Sequence, residues 1–516
     1  MGQAFSHGDS HCERLVLKSF LDARSIPAGT TIDTDLAIIG GGPAGIALAL
    51  ALANTPIRML MLESGGESFD DKTQALYAGR ETGVSYLKLA NSRLRYFGGS
   101  SNHWGGWCRP LDAIDFEQRN WLPHSGWPFA RAELEPYFAR AQSMCEAGPF
   151  IYDESEKWTQ ALGAPIPLGE GGVYTTYFQF SKQRDGFLPT HFGERYGDDL
   201  KHLPNLNVML HANVTGLRLA SNAQSLDHLD VATLQGNDFT VRPKYTVLAV
   251  GGIENARLLL ASNDVMHSGI GNGNDLVGRF FADHPIPGGT ATIVVFNGAI
   301  ASYYQQPQPA NGAYFRAALA PHDGFKNGHT VLCSLATIEG EVQLDGFGQA
   351  AVAATASALG VDATNMRAFT VGCGMELAPD PDRRVKLTDD RDALGMPRLQ
   401  LDMRISDSDF SRYRDTLTEL GRQLLAARSG MIRINHKSRE SWLSVMDWGN
   451  HHMGTTRMHS DPRQGVVDPN SQVYGVHNLY VAGSSIFPTY GASNPTLNLI
   501  ATTLRLADHL KTVFGT

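Results

Sequence analysis

The chain has 516 residues, which is more than one compact core usually holds, so we expect two intertwined domains or one domain with a large insertion. Hydrophobic residues make up 42% of the chain and charged residues 18%, which excludes a disordered chain and is typical of a globular enzyme. A net charge of −9 argues against nucleic-acid binding, because that function needs a basic surface to neutralise phosphates.

The beginning of the chain carries no recognisable export signal. Residues 1–24 are polar and lack the apolar segment of a secretory signal, and no run of about 18 uncharged apolar residues predicts a transmembrane helix. The cysteines are scattered, odd in number and without metal-ligand spacing, so we expect reduced thiols in a cytoplasmic protein, with neither a disulfide framework nor a metal site. They are Cys12, Cys108, Cys145, Cys333 and Cys373.

The first clear motif follows a polar leader over residues 1–33. Residues 36–39 predict a buried strand, residues 46–53 a helix and residues 57–62 a second strand, which together form a βαβ unit. The turn between strand and helix contains Gly40, Gly42 and Gly45 in the spacing G-x-G-x-x-G, and Glu63 ends the second strand. Such glycines let a pyrophosphate approach the helix N-terminus, and the carboxylate can accept hydrogen bonds from a ribose. The motif alone does not distinguish FAD from NAD.

The remaining elements follow in chain order. Residues 91–127 predict an extended ordered loop, residues 128–147 a helix, and residues 206–217 a strand and turn. A buried strand at 245–250 leads through Gly251 into a helix at 254–261. Strands are predicted at 290–295 and 370–376, a turn-rich stretch at 378–397 and a helix at 407–428. Residues 451–511 are rich in glycine turns and end in a helix at 495–510.

Two further segments carry residues suited to chemistry. In Phe97–Trp107, glycines surround His103, which indicates backbone lying against a flat ligand; this histidine could donate a hydrogen bond, attach covalently to a cofactor or serve the structure. In the second segment His451 precedes Asn494 by 43 residues. A histidine suits removal of a hydroxyl proton, and an amide can hold the alcohol oxygen. A metal pair with His452, or a structural histidine, is the alternative for His451.

Seven segments together resemble the glucose–methanol–choline (GMC) oxidoreductases, and they span residues 35–511. They are GGGPAG with Glu63, FGGSSNHW, LHANVTGL, LAVGGIENARLLL, NDLVGRFFADHP, HHMGTTRM and VAGSSIFPTYGASNPTLNLIATTLRLAD. Within the family the chain is similar to the branch of pyranose oxidases, C-glycoside or glucoside 3-oxidases and fructose dehydrogenase.

The resemblance implies FAD as the cofactor and His451 and Asn494 as the catalytic pair. His451 matches the family's base, and His452 lies one residue too close to Gly454 for that role. His103 matches the position at which pyranose oxidases bond FAD covalently, but Asn102 departs from their pattern and leaves that bond open. The residues expected to contact FAD are Gly40, Gly42, Gly45, Glu63, Gly98, Ser101, Asn102, His103, Val214, Gly251, Ala482, Gly483, Asn494, Pro495 and Thr496.

The resemblance also implies an α/β fold, with a Rossmann-like FAD-binding domain and a second α+β substrate domain on a large antiparallel sheet. We expect residues 34–285 with 441–516 to form the first domain, and 286–440 with parts of 105–200 the second.

The implied activity is oxidation of a secondary hydroxyl of a sugar or glycoside, at C3 in preference to C2. A hydride would pass to flavin N5 while His451 takes the proton, and O2 or a quinone-type acceptor would reoxidise the flavin. Three alternatives remain at this point. They are the flavin subunit of a membrane-linked sugar dehydrogenase with an electron-transfer partner, a hydroxynitrile lyase of the same fold, and a sugar-binding protein without activity.

Overall fold

The computed structural model describes residues 20–152, 155–181, 189–297 and 300–516. Cys12 and the first 19 residues of the predicted leader lie outside the described residues, whereas Cys108, Cys145, Cys333 and Cys373 are buried free thiols. Among the described residues, no helix combines the length and the apolar character needed to cross a membrane.

The strands, numbered in chain order, are β1 (Phe20–Asp22), β2 (Thr31–Ile39), β3 (Met59–Leu62), β4 (Arg80–Gly83), β5 (Trp107–Cys108), β6 (Val173–Phe180), β7 (Leu206–Leu210), β8 (Asn213–Leu219), β9 (Leu226–Ala232), β10 (Asp238–Leu248), β11 (Ala291–Val295), β12 (Gln308–Ala310), β13 (Ala313–Pro321), β14 (Ser334–Val342), β15 (Arg367–Met375), β16 (Arg384–Arg391), β17 (Pro397–Met403), β18 (Gly430–Ile434) and β19 (Leu479–Val481).

The α-helices are α1 (Pro43–Ala51), α2 (Asp71–Gln74), α3 (Ala113–Phe116), α4 (Glu135–Met144), α5 (Ser155–Leu162), α6 (Phe192–Lys201), α7 (Gly251–Ala261), α8 (Asp323–His329), α9 (Gly346–Leu359), α10 (Asp407–Ala426), α11 (Arg439–Leu443) and α12 (Pro495–Phe514). Short 3-10 helices lie at Ala23–Ser25, Ala75–Tyr77, Gly99–Asn102, Arg131–Glu133, Ser302–Tyr304 and Ser484–Ile486.

The first sheet has the order β1-β7-β3-β2-β10-β9-β8, and β19 pairs with the end of β10. The pairs from β1 to β10, and β10 with β19, are parallel, while β9 and β8 continue the sheet antiparallel. The predicted βαβ unit is confirmed, because β2 and β3 are parallel neighbours joined by α1. Helix α1 is apolar all round, as expected for a helix that packs against α12 and α6 as well as the sheet.

The second sheet is antiparallel in the order β18-β11-β15-β14-β13-β6-β5, with β12 beside β13. Helix α10 packs against this sheet and begins at a capping box formed by Ser406 and Asp409. The predicted fold class is confirmed by this combination of a doubly wound parallel sheet and a large antiparallel sheet.

A third, three-stranded sheet joins distant parts of the chain in the order β16-β17-β4. Strand β16 lies inside residues 378–397, where the sequence predicts only turns. The strand was missed because its C-terminal half is exposed and charged. It therefore carries little of the apolar alternation that identifies strands. This sheet packs against α7 of the first sheet, although the domain boundaries proposed above assign residues 384–403 to the substrate domain. Those boundaries stay a proposal.

Candidate active site

A cleft opens where the strands β2, β3 and β10 end and encloses about 1740 Å³ of empty space, part of which is open to solvent. The carboxyl ends of parallel strands are the usual place for ligands in such sheets. Most of the predicted site residues line this cleft, although the segments that carry them are spread from Gly40 to Thr496. The residues concerned are Gly40, Gly42, Glu63, Ser101, His103, Val214, Gly251, His451, Ala482, Gly483, Asn494, Pro495 and Thr496.

Glycine is required for different reasons at different positions of the first turn. Gly40 has φ +108, and a Cβ there would lie 2.6 Å from the carbonyl oxygen of Ala249. A Cβ on Gly45 would lie 2.0 Å from the carbonyl oxygen of Gly40, so Gly45 lies behind the turn and does not line the cleft. These two positions need glycine for the backbone itself. Gly42 differs, because its backbone is extended and the nearest atom to an added Cβ is Gly99 Cα, 4.0 Å away.

Two groups at this turn suit a nucleotide. Gly42 is the N-cap of α1, and no side chain caps the helix, so its first N–H groups and its dipole are available to an anion. Glu63 is buried at the end of β3, where its carboxylate accepts hydrogen bonds of 2.8 Å from the N–H groups of Gly41 and Gly65. The carboxylate is thereby fixed at the rim of the cleft with acceptor capacity remaining.

The residues present therefore fit a flavin dinucleotide. Gly42, Gly251 and Gly483 line the cleft, and an added Cβ would meet no atom closer than 4.0 Å at any of them. Bare backbone next to open space is what close approach of a flat or phosphorylated group requires. With the uncapped helix and Glu63, Gly42 would hold the ADP half, while Ala482, Gly483 and Asn494 line the cleft as well.

The loop after Phe97 shapes the cleft but contributes less lining than the sequence predicts. Gly98 and Asn102 lie outside the lining: Gly98 has φ +93, and Asn102 donates a 2.9 Å hydrogen bond to the Phe97 carbonyl. Ser101 reaches the cleft, yet its hydroxyl donates to the Gly98 carbonyl and accepts from the Phe192 N–H. His103 is exposed in the cleft, and partial burial lowers its pKa.

A buried charge cluster on the cleft wall was not predicted. Glu254, at the start of α7, forms ion pairs with Arg93 (2.8 Å), Arg257 (3.2 Å) and Arg95 (3.3 Å). Burial alone would raise the pKa of Glu254, but the three guanidinium groups lower it to about 2. Arg93 also lies over the ring of Tyr77, 4.1 Å from its centroid. This cluster joins the loop before Phe97 to α7 and fixes one wall of the cleft.

His451 and Asn494 lie side by side at the wall of the cleft. Asn494 Nδ2 lies 3.1 Å from His451 Nε2. Asn494 is the N-cap of α12, yet its side chain makes no capping hydrogen bond, so the amide projects towards His451. Burial, with smaller contributions from His284 and His452, holds the pKa of His451 well below its usual range. The imidazole is therefore neutral near neutral pH and has a lone pair to accept a proton.

His452 occupies a different environment. Its ring packs against Phe281 and Tyr86, and its carbonyl accepts a 2.7 Å hydrogen bond from the Ser484 hydroxyl. Burial lowers the pKa of His452 to about 3. The two adjacent histidines thus make separate contacts, and only His451 contacts Asn494.

A third histidine, His284, was not assigned from the sequence although its segment NDLVGRFFADHP was recognised. Its Nδ1 lies 2.8 Å from His451 Nδ1, and its Nε2 lies 2.9 Å from the Gly491 carbonyl oxygen. The preceding residue, Asp283, is buried, and its Oδ1 accepts hydrogen bonds from the N–H groups of His451 (2.8 Å) and His284 (2.7 Å). Tyr86 donates a hydrogen bond to the other oxygen of Asp283.

The two histidine segments are antiparallel neighbours. Bridges join Ala282 to Met453 and Pro285 to Trp448. Gly449 makes room for the His451 ring, because a Cβ at Gly449 would lie 2.5 Å from His451 Nδ1.

A buried network supports the loop that carries Asn494. Arg119 forms a two-pronged ion pair with Glu376, with both N–O distances 3.1 Å. Asp115 accepts a hydrogen bond from the Cys333 thiol, and its backbone carbonyl accepts from the Thr489 hydroxyl. Asp115, Cys333 and Glu376 lie close enough to resemble a metal site, but the Arg119 guanidinium already neutralises the carboxylate of Glu376.

An aromatic cluster lies beside the loop that carries Asn494. Trp107 lines the cleft on β5 and packs against Phe178 and Phe180 of β6, with ring centroids 4.9 and 4.7 Å away. Ala492, two residues before Asn494, packs against the same cluster. The aromatic cluster of the second sheet therefore packs against the loop that carries Asn494.

Comparison with known proteins finds a family match and several relatives. Residues 379–503 match the GMC oxidoreductase family. The fructose dehydrogenase large subunit of Gluconobacter japonicus is 28% identical over 51% of this chain and 46% of its own length. The 2-methyl-1,2-propanediol dehydrogenase of Mycolicibacterium austroafricanum is 23% identical over 93% of this chain and 96% of its own. A C-glycoside 3-oxidase of Microbacterium trichothecenolyticum is 33% identical over 27% of each chain.

The fold has a solved counterpart. The crystal structure of a pyridoxine 4-oxidase superposes with a TM-score of 0.57 at 20% identity and covers 93% of this chain and 99% of that one. At this identity the likeness concerns the fold. Together with the family match and the dinucleotide cleft, it confirms the resemblance read from the seven sequence segments. Residues 379–503 thus match the GMC oxidoreductases, the chain as a whole is similar to them, and it is an FAD-dependent enzyme that acts on CH–OH groups.

Proposed function

We propose that this enzyme oxidises a secondary hydroxyl of a sugar or glycoside, at C3 in preference to C2, with His451 as the base. The observation that carries the proposal is the pair formed by His451 Nε2 and Asn494 Nδ2, 3.1 Å apart at the cleft wall. A hydroxyl placed at this pair gives its proton to His451 and accepts a hydrogen bond from Asn494.

In the proposed reaction, FAD and the residues of the chain have separate roles. When bound, FAD supplies the acceptor for the hydride that leaves the carbinol carbon. Asn494 orients the alcohol oxygen, His451 removes its proton, and the aromatic cluster of Trp107, Phe178 and Phe180 excludes water beside them. The segments around the uncapped N-terminus of α1 hold the nucleotide.

The substrate class rests on relatives and on the wall of the cleft. Fructose dehydrogenase and C-glycoside 3-oxidase act on sugars by their names, and this supports a sugar or glycoside here. Trp107 supports the same class, because the C–H faces of a pyranose ring stack favourably on an indole.

The test is an anaerobic absorbance scan of the holoenzyme with a panel of free sugars, O-glycosides, C-glycosides and simple diols. We expect glycosides to bleach the flavin band and simple diols to leave it unchanged. Bleaching by diols alone would refute the sugar assignment. A flavin that no alcohol reduces would favour the lyase alternative. The oxidised product, identified by NMR, distinguishes a 3-keto from a 2-keto sugar.

The electron acceptor is proposed as O2 or a quinone. Admitting air to the reduced enzyme, in parallel with a soluble quinone, separates the two by the rate at which the flavin band returns. Slow recovery with both would favour the alternative of a flavin subunit that needs an electron-transfer partner, as the fructose dehydrogenase large subunit suggests by its name.

Replacement of Trp107 tests the stacking wall. Stacking on an aromatic face contributes about 0.5–1.5 kcal/mol, so we expect Trp107→Ala to raise KM for a glycoside about 2- to 10-fold with little change in kcat. Trp107→Phe keeps an aromatic face and should recover most of the affinity. An unchanged KM in steady-state assays of Trp107→Ala would contradict the role.

The linkage of FAD is tested by acid precipitation of the enzyme. His103 is exposed in the cleft and follows Asn102, which departs from the pyranose oxidase pattern, so we expect a non-covalent cofactor that appears in the supernatant. A flavin retained in the pellet would reverse this expectation, and it should then become extractable in His103→Ala.

A further inference from the structure

The rings of His284 and His451 are in contact, although the two residues are 167 positions apart in the sequence. Their Nδ1 atoms lie 2.8 Å apart, and the ring planes meet at 80°. One hydrogen must lie between the two nitrogens, because two lone pairs at that distance would repel each other. The contact made by the other ring nitrogen of His284, Nε2, determines which ring carries that hydrogen.

His284 Nε2 lies 2.9 Å from the Gly491 carbonyl oxygen. A carbonyl oxygen only accepts hydrogen bonds, so His284 carries its hydrogen on Nε2. His284 is fully buried, and burial lowers its pKa to about 4, so the ring holds a single proton near neutral pH. Its Nδ1 therefore presents a lone pair to His451.

The hydrogen between the rings consequently belongs to His451 Nδ1. Because the His451 ring is neutral, its Nε2 is unprotonated and accepts the 3.1 Å hydrogen bond from the Asn494 amide. The chain of hydrogen bonds runs in one direction, from His451 through His284 to the Gly491 carbonyl. Every donor and acceptor along it is used once.

We propose that His284 is a positioning residue that holds His451 as the Nδ1–H tautomer and so leaves Nε2 as the atom that accepts the substrate proton. The inference rests on the proposed function, in which His451 is the base. In the reaction the substrate O–H bond breaks and an Nε2–H bond forms on His451. The Nδ1–H of His451 stays in place, because His284 already carries its own proton.

The surroundings keep both rings in this arrangement. The Tyr490 ring meets the His284 ring at 69°, with centroids 5.1 Å apart. Asp283 holds the backbone of both histidines through its Oδ1. When His451 becomes positively charged, its hydrogen bond to His284 becomes charge-assisted and stronger, so the contact favours the transition state over the ground state.

The tautomers can be observed directly by NMR of the holoenzyme labelled with 15N-histidine. Signals are assigned by their loss in His451→Ala and His284→Asn. We expect His451 to carry its hydrogen on Nδ1 and His284 on Nε2, two opposite tautomers in adjacent rings. A His451 that carries its hydrogen on Nε2 would overturn the inference, whatever the activity.

Two variants test separately whether His284 acts through its hydrogen-bond acceptor or through the shape of its ring. His284→Phe keeps a planar ring without an acceptor, whereas the oxygen of His284→Asn can replace Nδ1. We expect the anaerobic reduction rate to fall about 10- to 100-fold in His284→Phe, which is the loss usual when the partner that orients a metal-ligating histidine is removed, with KM little changed. His284→Asn should recover most of the rate, and His228→Phe on β9 is the matched control.

The outcomes decide between positioning and packing. Wild-type rates in His284→Phe, or equal losses in His284→Phe and His284→Asn, would overturn the inference. If His284→Phe fails to fold, the NMR measurement and His284→Asn decide. Failure of the proposed function is recognised separately. In that case substrate would reduce the flavin of His451→Ala at the wild-type rate, even if the wild-type enzyme shows the predicted tautomers.

Discussion

His451→Ala should bind FAD normally but be reduced by substrate about 10²–10⁴-fold more slowly than the wild type, which is the usual contribution of general base catalysis. In the proposed reaction the side chain accepts the hydroxyl proton at Nε2, and its loss removes the group to which the Asn494 amide donates. The nucleotide end of the cleft is formed by other segments, so the cofactor content should not change. Rapid-mixing absorbance under anaerobic conditions measures the rate, and the flavin-to-protein absorbance ratio measures the content.

The matched control for His451→Ala is His228→Ala, a partly exposed histidine of β9. It removes the same side chain away from the cleft and should be reduced at the wild-type rate. An unchanged rate in His451→Ala would remove this residue from the role of base. Loss of FAD in the same variant would show that the ring holds the cofactor instead.

Gly42→Val should yield a folded protein that contains no FAD. The Gly42 backbone is extended, which suits valine, and the nearest atom to an added Cβ is 4.0 Å away. The added side chain therefore disturbs little in the protein but fills the space beside the N-terminus of α1, where the pyrophosphate would lie. We expect an unchanged far-UV circular dichroism spectrum and no flavin absorbance after purification in the presence of excess FAD.

Two further glycine variants make this result specific. Gly340→Val, on an exposed part of β14 with open space around it, should keep both fold and flavin. Gly45→Val should fail to fold, because its Cβ would overlap the Gly40 carbonyl. A yellow Gly42→Val protein would contradict the placement of the cofactor at this turn.

Some elements were predictable from local patterns. The strand–turn–helix–strand unit from β2 to β3 follows from an apolar run, a glycine-rich turn and an alanine-rich helix, and each of these signals lies within a few residues. Helices α10 and α12 were predicted to within a few residues of their ends, since long helices repeat their pattern over several turns. Strand β16 was missed because its C-terminal half faces solvent.

The candidate site was only partly predictable. His451 and Asn494 were identified because they lie in segments with a recognisable order. His284 lay in such a segment too, but its role depends on a contact with His451 that no local pattern encodes. Arg93 and Glu254 were missed for the same reason, since an ion pair between residues 161 positions apart leaves no signature in either segment.

The sequence by itself determined the dinucleotide turn, the residue types of the candidate site and the resemblance to a known family, because these depend on residues close together in the chain or on the order of motifs. Only the tertiary structure decided which nitrogen of His451 is free. That choice depends on His284 and Gly491, which are brought to His451 by the pairing of residues 282–285 with 448–453 and by the buried network beneath the Asn494 loop. Hydrogen-bond direction is set by the partner at the far end of the chain of contacts, and such partners are known only once the distant segments have packed together.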